Sequence, residues 1–229
     1  MSMLRTLVPD EMRRWFAFGS GAGIEISGTP GMESLRAVLV RVRPGQARIL
    51  DTFTVELLGQ HPNGVWGTEY TAFLRKYGMS HAAATVVLPR RDVIVRHLAL
   101  PGVADKDLHA AIEFQLEGLH PYPEHDAVTS WARIPGTASV LIAITRRSVI
   151  ERYTTLFAEA GVKVASFTCS AALIHSALRM LGGSVPAAGV LTFVPAGAGA
   201  EIYGESPERP VFSAVFDAPV ERAAALAAA

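Results

Sequence analysis

Ile94-Val95-Arg96-His97-Leu98-Ala99-Leu100-Pro101 is followed by Ala110-Ala111-Ile112-Glu113-Phe114-Gln115 and then by His120-Pro121-Tyr122-Pro123. The first run is apolar, carries β-branched residues and stops at a proline, which predicts a strand over Val93 to Leu100. From Asp105 to Leu119 the residues Leu108, Ile112, Leu116 and Leu119 recur on one stripe, which predicts a helix with Asp105 as its N-cap and Pro121 as its stop. Pro121 and Pro123 then hold the exit extended. Strand, helix and proline-fixed exit follow one another in that order.

Downstream, Val128 to Ile134 and Ser139 to Thr145 read as strands, the second apolar on both faces and therefore central in its sheet. Arg147 to Ala160 repeats Ile150, Tyr153, Phe157 and Ala160 as a helical stripe closed by Gly161, and Val162 to Thr168 returns as a strand. Ser170 is placed to cap a further helix through Leu181, ended by Gly182-Gly183, and hairpin strands follow. Upstream, Ala22 to Ser27, Leu35 to Val42 and Gln46 to Val55 are separated by the turn clusters Gly28-Thr29-Pro30-Gly31 and Pro44-Gly45, so three strands in hairpin order are expected. Thr68 to Tyr77 carries Tyr70, Phe73, Leu74 and Tyr77 at helical spacing before Gly78. Ala83 to Leu88 is strand-like and is separated from Val93 by Pro89-Arg90-Arg91-Asp92, a polar turn of hairpin length. A mixed α/β layering follows.

At 229 residues the chain can bury one large core or two small ones. Lys plus Arg and Asp plus Glu are both 21, so no basic field gathers nucleic acid, and nucleic-acid binding is not expected. The lone Cys169 has no partner for a disulfide or a CxxC site and reads as a buried thiol in a reducing compartment. Charges interrupt Met1 to Phe18, so no secretion signal is expected, and no uncharged apolar run is long enough to span a bilayer. Gly182 to Ala188 reads as a linker, and the alanine-rich end Ala223 to Ala229 as a frayed helix where a longer protein was cut.

Three stretches in order resemble the PilM family of type IV pilus assembly proteins and the cytoplasmic actin-like domain of the type II secretion L component. They are Gly23-Ile24-Glu25-Ile26-Ser27-Gly28 with the strand from Leu35, the strand, helix and proline exit quoted first, and Leu141-Ile142-Ala143-Ile144-Thr145-Arg146 leading to Ala160-Gly161. The resemblance implies an actin-like (ribonuclease H-like) α/β fold with mixed sheets: a first half, an inserted small subdomain and the start of a second half. Its expected divisions are 1–82 for the first actin-like part, 83–168 for the inserted module, and 169–229 for the return helix and the partial second half.

The resemblance further implies a cytoplasmic scaffold, peripheral to the inner membrane. Its partners would be other assembly-platform proteins and the N-terminal segment of a bitopic PilN-like membrane protein, taken in a groove between the first subdomain and the inserted one. Val95, Leu98 and Ile112 belong to the subdomain that would supply one wall. In actin-like ATPases an Asp-x-Gly loop holds hydrated magnesium and admits phosphate oxygens. Here Glu25 and Ser27 stand at the matching positions, followed by Gly28 and Thr29, and Pro30 removes an N–H donor. The second loop, Thr192 to Gly197, carries no carboxylate. A degenerate, non-hydrolysing protein with no catalytic residue and no cofactor is therefore expected. The alternative is an ATP-binding switch in which Glu25 and the Ser27 to Gly31 loop hold Mg-ATP.

Other groups read more plainly. His120, Glu124, His125 and Asp126 lack a second ligand pair and read as a surface loop rather than a metal site. Arg90, Arg91 and Arg96 suit lipid phosphates but are read as a solvated hairpin. Trp15 and Phe16 beside Arg13 and Arg14 suit a membrane surface or a partner as well as they suit packing under the sheet. No nucleophile elbow, zinc-protease helix or phosphate-loop lysine motif is present.

Overall fold

The computed structural model describes residues 19–29, 31–43, 46–134, 136–182, 187–196, 199–206 and 211–228. In chain order the elements begin with β1 (Gly19–Ser27), β2 (Ser34–Arg43), β3 (Gln46–Val55), α1 (Asn63–Arg75), β4 (Ala84–Val87) and β5 (Val93–Ala99). They continue with α2 (Leu108–Leu116), β6 (Ala127–Arg133), β7 (Ser139–Arg146), α3 (Arg147–Glu159), β8 (Val164–Thr168) and α4 (Ser170–Gly182). The last are β9 (Val190–Ala196), β10 (Gly199–Glu205), β11 (Phe212–Phe216) and α5 (Val220–Ala228). The chain divides into two compact units, the first made of 1–87, 156–168 and 175–184, the second of 88–155, 169–174 and 185–229.

The first unit is built on a five-stranded sheet ordered β3-β2-β1-β4-β8, antiparallel across β1, β2 and β3 and parallel from β1 through β4 to β8. Alternation decides which face is buried: Ala22, Ile24 and Ile26 of β1 and Leu35, Ala37 and Leu39 of β2 are sealed, while Glu25 and Arg36 point outward. Helix α1 buries Trp66, Tyr70 and Leu74. The indole of Trp66 meets the Phe157 ring edge-on at 6.0 Å. The three predicted hairpin strands are present. Helix α1 starts at Asn63 rather than Thr68, and Gly78 has φ +70°, the left-handed backbone expected just past its end.

The second unit holds two three-stranded antiparallel sheets, β5-β7-β6 and β11-β10-β9. Strand β7 is central, as its two apolar faces predict. Its Val140, Ile142 and Ile144 meet Leu108 and Ile112 of α2 together with Leu100, and Leu116, Leu119 and Trp131 pack around them. Helix α5 does not stand alone. Ala223 is 3% exposed and lies against Ala200 and Ile202 of β10, which gives the alanine-rich end a partner.

Three expectations are corrected. The span 83–168 is not one module, because β4 and β8 pair in the first sheet and the inserted sheet proper runs from Val93 to Arg146. Parallel strands pair with distant segments, and periodicity carries no trace of that choice. Pro89 to Asp92 is accordingly no hairpin: β4 and β5 lie in different sheets, joined by a one-turn 3-10 segment at Arg90–Asp92. Asp105 caps nothing. A 3-10 turn over Asp105–Asp107 precedes the helix, and the Asp105 carboxylate pairs with Arg133.

Candidate functional site

Glu25, Ser27, Gly28 and Thr29 lie at the end of β1 and in the loop into β2. The Glu25 side chain is exposed, in register with Arg36 of β2 and Val87 of β4. Gly28 has φ +95°, and a Cβ there would collide with the Met32 carbonyl oxygen, so the position demands glycine. The loop closes on itself. Met32 N–H donates to the Thr29 carbonyl at 2.9 Å and Gly31 N–H donates to Glu33 Oε2 at 3.0 Å. Two amides that a phosphate cradle would need are thus already engaged, and Ser27 presents a side chain where close approach is required. Pro30 and Gly197 lie outside the described residues, as do Trp15, Phe16, Arg13 and Arg14.

The second loop region forms the start of the β9–β10 hairpin, where Val194 lies opposite Glu201. Glu201 is the acid that the sequence does not flag. It is 3% exposed, and its Oε1 accepts from Ser170 Oγ at 2.5 Å and Ser213 Oγ at 3.2 Å. Arg90 Nε lies 3.3 Å from the same oxygen. Arg90 also donates through Nη1 to the Val93 carbonyl at 2.5 Å and through Nε to Ser213 Oγ at 3.2 Å. It is therefore a half-buried ion-pair partner rather than part of a solvated basic patch. Ser170 is the first residue of α4 and turns its hydroxyl to Glu201 instead of capping the helix. The signal was available in principle: a carboxylate between the apolar Ala200 and Ile202 needs a partner once the strand is buried. Burial pushes the neighbouring Cys169 thiol up from its ordinary value, so it stays protonated and unreactive at neutral pH.

Val95, Leu98 and Ile112 do not form one surface. Leu98 and Ile112 lie on the α2 side of the β5-β7-β6 sheet, Ile112 only 1% exposed within its core. Val95 alternates to the opposite side and is itself buried. Ile112 and Val95 are thus packed within the module. His120 stacks on Tyr122 at 5.6 Å between ring centres, and its Nδ1 accepts the Tyr122 N–H at 3.2 Å. Among the described residues no three His, Cys, Asp or Glu side chains come together as metal ligands, and no helix is long and apolar enough to cross a membrane.

A sheet whose first three strands are antiparallel and whose next are parallel, interrupted by an inserted module and followed by the opening hairpin of a second half, is the actin-like fold. Two solved structures share it with this chain. One is a PilM-PilN type IV pilus biogenesis complex, with a TM-score of 0.66 at 16% identity, over 88% of this chain and 62% of that one. The other is the cytoplasmic domain of EpsL, an inner-membrane component of the Vibrio cholerae type II secretion system, with a TM-score of 0.56 at 11% identity, over 86% of this chain and 71% of that one. The chain thus spans 62% of the length of the PilM-PilN structure it matches. No protein-family model matches the chain, and no curated relative does either.

Proposed function

We propose that this chain is a cytoplasmic scaffold of a type IV pilus or type II secretion assembly platform, held at the inner-membrane face by its partners. It captures the N-terminal cytoplasmic segment of a PilN-like bitopic membrane protein and meets other platform components. The observation that carries this reading is the fold-level match over 88% of the chain to a structure described as a PilM-PilN complex. Capture of an extended segment needs main-chain hydrogen bonds and apolar neighbours, which a small sheet backed by one helix supplies without catalytic groups.

The scaffold works without nucleotide turnover. The loop amides of Gly31 and Met32 are engaged within the chain, and the buried carboxylate of Glu201 is neutralised by Arg90. Engaged loop donors and a neutralised Glu201 support a reading without turnover, since phosphoryl transfer depends on open backbone donors and metal-facing carboxylates; Glu25, which is exposed, is the acid that the test below addresses. Thermal shift tests the reading, because a ligand that binds only the folded state raises Tm. The partner's N-terminal segment is expected to raise Tm and Mg-ATP to leave it unchanged. An Mg-ATP shift abolished by Glu25→Ala would replace the scaffold with a nucleotide switch.

A further inference from the structure

Along β2 the buried alternation Leu35, Ala37, Leu39 continues into Arg41 and Arg43, both exposed, so two guanidinium groups stand on the core's own face of the sheet but beyond the end of the core. Register sets the exposed Arg48 of β3 directly opposite Arg41, and Gln46 opposite Arg43. Like charges directly opposite on an antiparallel pair are destabilising, so the fold carries this arrangement at a cost. Elsewhere Arg90, Arg91, Arg133 and Arg152 each lie against a carboxylate. Among the described residues no carboxylate pairs with Arg41, Arg43 or Arg48, and Arg41 has a single contact at 3.5 Å, to Ser20 Oγ. Asp51, the acid one row inward, is taken by Lys76 and Tyr77.

The other face of the same strand ends is aliphatic. Val40 and Val42 of β2 are half-buried, and Ile49 of β3, opposite Val40, is 63% exposed. They stand beside Gly21 and Gly19 of β1, where an added Cβ would meet no atom within 4 Å, so among the described residues nothing packs closely over this corner. Strand β3 is the edge of the sheet, and its neighbours Arg48 and Ile49 turn to opposite faces of that one rim. Gly19 pairs with Val42, and the chain enters β1 there from Arg13-Arg14-Trp15-Phe16-Ala17-Phe18. The acids of that leader, Asp10 and Glu11, precede the run.

We propose that this corner of the first sheet is a membrane-contact surface, and that its occupant is the headgroup layer of a bilayer containing anionic phospholipid. The guanidinium groups reach phosphates from one face of the rim while Ile49 enters between headgroups from the other, the division of labour of an interfacial amphipathic element. Three unpaired cations spread over two rows of a strand pair suit the many phosphates of a surface better than one anion in a pocket. The exposed aliphatic side favours a bilayer over a soluble polyanion, which offers it no apolar medium. Because the chain's 21 basic and 21 acidic residues cancel, the attraction is local, acting within a Debye length of about 8 Å. The contact goes beyond the scaffold reading, since it needs no partner protein.

The test is sedimentation of the full chain with vesicles of phosphatidylglycerol and phosphatidylcholine in equal parts, against phosphatidylcholine alone. The chain is expected to bind the anionic vesicles, to leave the neutral ones, and to be released as salt rises. Each cation at an anionic surface contributes about fivefold, so the triple variant Arg41→Gln, Arg43→Gln, Arg48→Gln is expected to lose about a hundredfold. Ile49→Ser, and Trp15→Ala with Phe16→Ala, are each expected to weaken binding severalfold. Arg36→Gln, on the opposite face and farther along β2, is expected to leave it unchanged. The Tm of the triple variant is expected to hold or rise, since Arg41 no longer faces Arg48, which separates lost binding from lost fold. Absence of binding to anionic vesicles overturns the proposal and leaves the scaffold reading, which the partner segment tests separately, untouched. Binding that survives the triple variant overturns this surface, as does an equal loss from Arg36→Gln. Soluble polyglutamate that binds as well as vesicles do, with the same arginine dependence and no response to Ile49→Ser, makes an acidic polypeptide the occupant and overturns the membrane.

Discussion

Arg90 Nε stands 3.3 Å from Glu201 Oε1, with 15% and 4% of the two side chains exposed, and so joins the entry to the inserted module to the hairpin of the second half. Glu201 has left water and Arg90 is half-buried; Glu201 accepts further hydrogen bonds from Ser170 and Ser213, and Arg90 donates another to the Val93 carbonyl. Removing one partner strands the other. Arg90→Met is expected to destabilise by about 3–5 kcal/mol, since it leaves a buried carboxylate without its cation. The double variant Arg90→Met with Glu201→Leu is expected to recover most of that loss. Urea unfolding reads both outcomes as shifts in midpoint at constant m-value. Equal losses in the single and double variants would mean that packing, not charge, sets the cost.

Gly67 allows α1 to lie directly on the backbone at the end of α3: a Cβ there would overlap the Ala160 carbonyl oxygen and approach its Cα at 2.9 Å. Backbone cannot rotate away as a side chain can. Gly67→Ala is expected to fall at or beyond the upper end of the roughly 1–3 kcal/mol that overpacking costs. Gly64, one helical turn earlier in α1, meets nothing within 4 Å. Gly64→Ala is expected to stabilise by about 0.4–1 kcal/mol, by restricting the unfolded chain. Opposite signs at two glycines of one helix, read by Tm, would separate contact from propensity.

Asp51 accepts from Lys76 Nζ at 3.0 Å, Tyr77 Oη at 2.9 Å and its neighbour Thr52 N–H at 2.9 Å. The hydrogen bond from Lys76 first, then that from Tyr77, holds the Asp51 carboxyl below its ordinary 3.8, and the hydrogen bond to Asp51 raises Lys76 above 10.5. A lowered carboxylate contributes stability above its unfolded pKa that is lost as pH falls through the folded one. A raised lysine contributes below 10.5 and loses it as pH rises further. Asp51→Asn is therefore expected to lower Tm modestly at neutral pH, and the difference is expected to shrink in acid as pH falls through the lowered carboxyl pKa and in alkali as pH rises through the raised lysine pKa. Because the pair is solvent-exposed, salt should shrink it too.

Much of the fold is written in side-chain period. Alternation in Ala22 to Ile26 and Leu35 to Leu39 names a buried sheet face, and the Leu108, Ile112, Leu116 spacing names the helix face that meets Ile142 and Ile144. Pairing is not written there. Nothing in Ala84-Thr85-Val86-Val87 says that its neighbours are β1 and β8 rather than β5, because a four-residue apolar run satisfies any sheet. The Arg90 and Glu201 cluster was hidden for a related reason: two opposite charges far apart in sequence become a pair only once three elements converge.

The Tyr70 hydroxyl is buried with no hydrogen-bond partner among the described residues, inside a ring of Phe53 at 6.0 Å and Phe73 at 6.2 Å. An unmatched hydroxyl in an aromatic cluster gains nothing from folding and loses its water. Tyr70→Phe keeps the ring and its contacts, so it is expected to leave stability unchanged or raise it by about 1 kcal/mol. Alkali sharpens the comparison. Burial pushes the Tyr70 phenol up from 10.0 to about 12. A group with a raised folded pKa contributes fully below its unfolded value and loses that contribution as pH rises, here because the unfolded chain sheds the proton first. Near pH 11 the wild type should have lost about 1 kcal/mol that Tyr70→Phe retains, read as a widening gap between their urea midpoints from pH 9 to 11. A gap that stays flat would mean that the hydroxyl reaches water in the folded chain, and the ring would then be packed more loosely than the Phe53 and Phe73 contacts require.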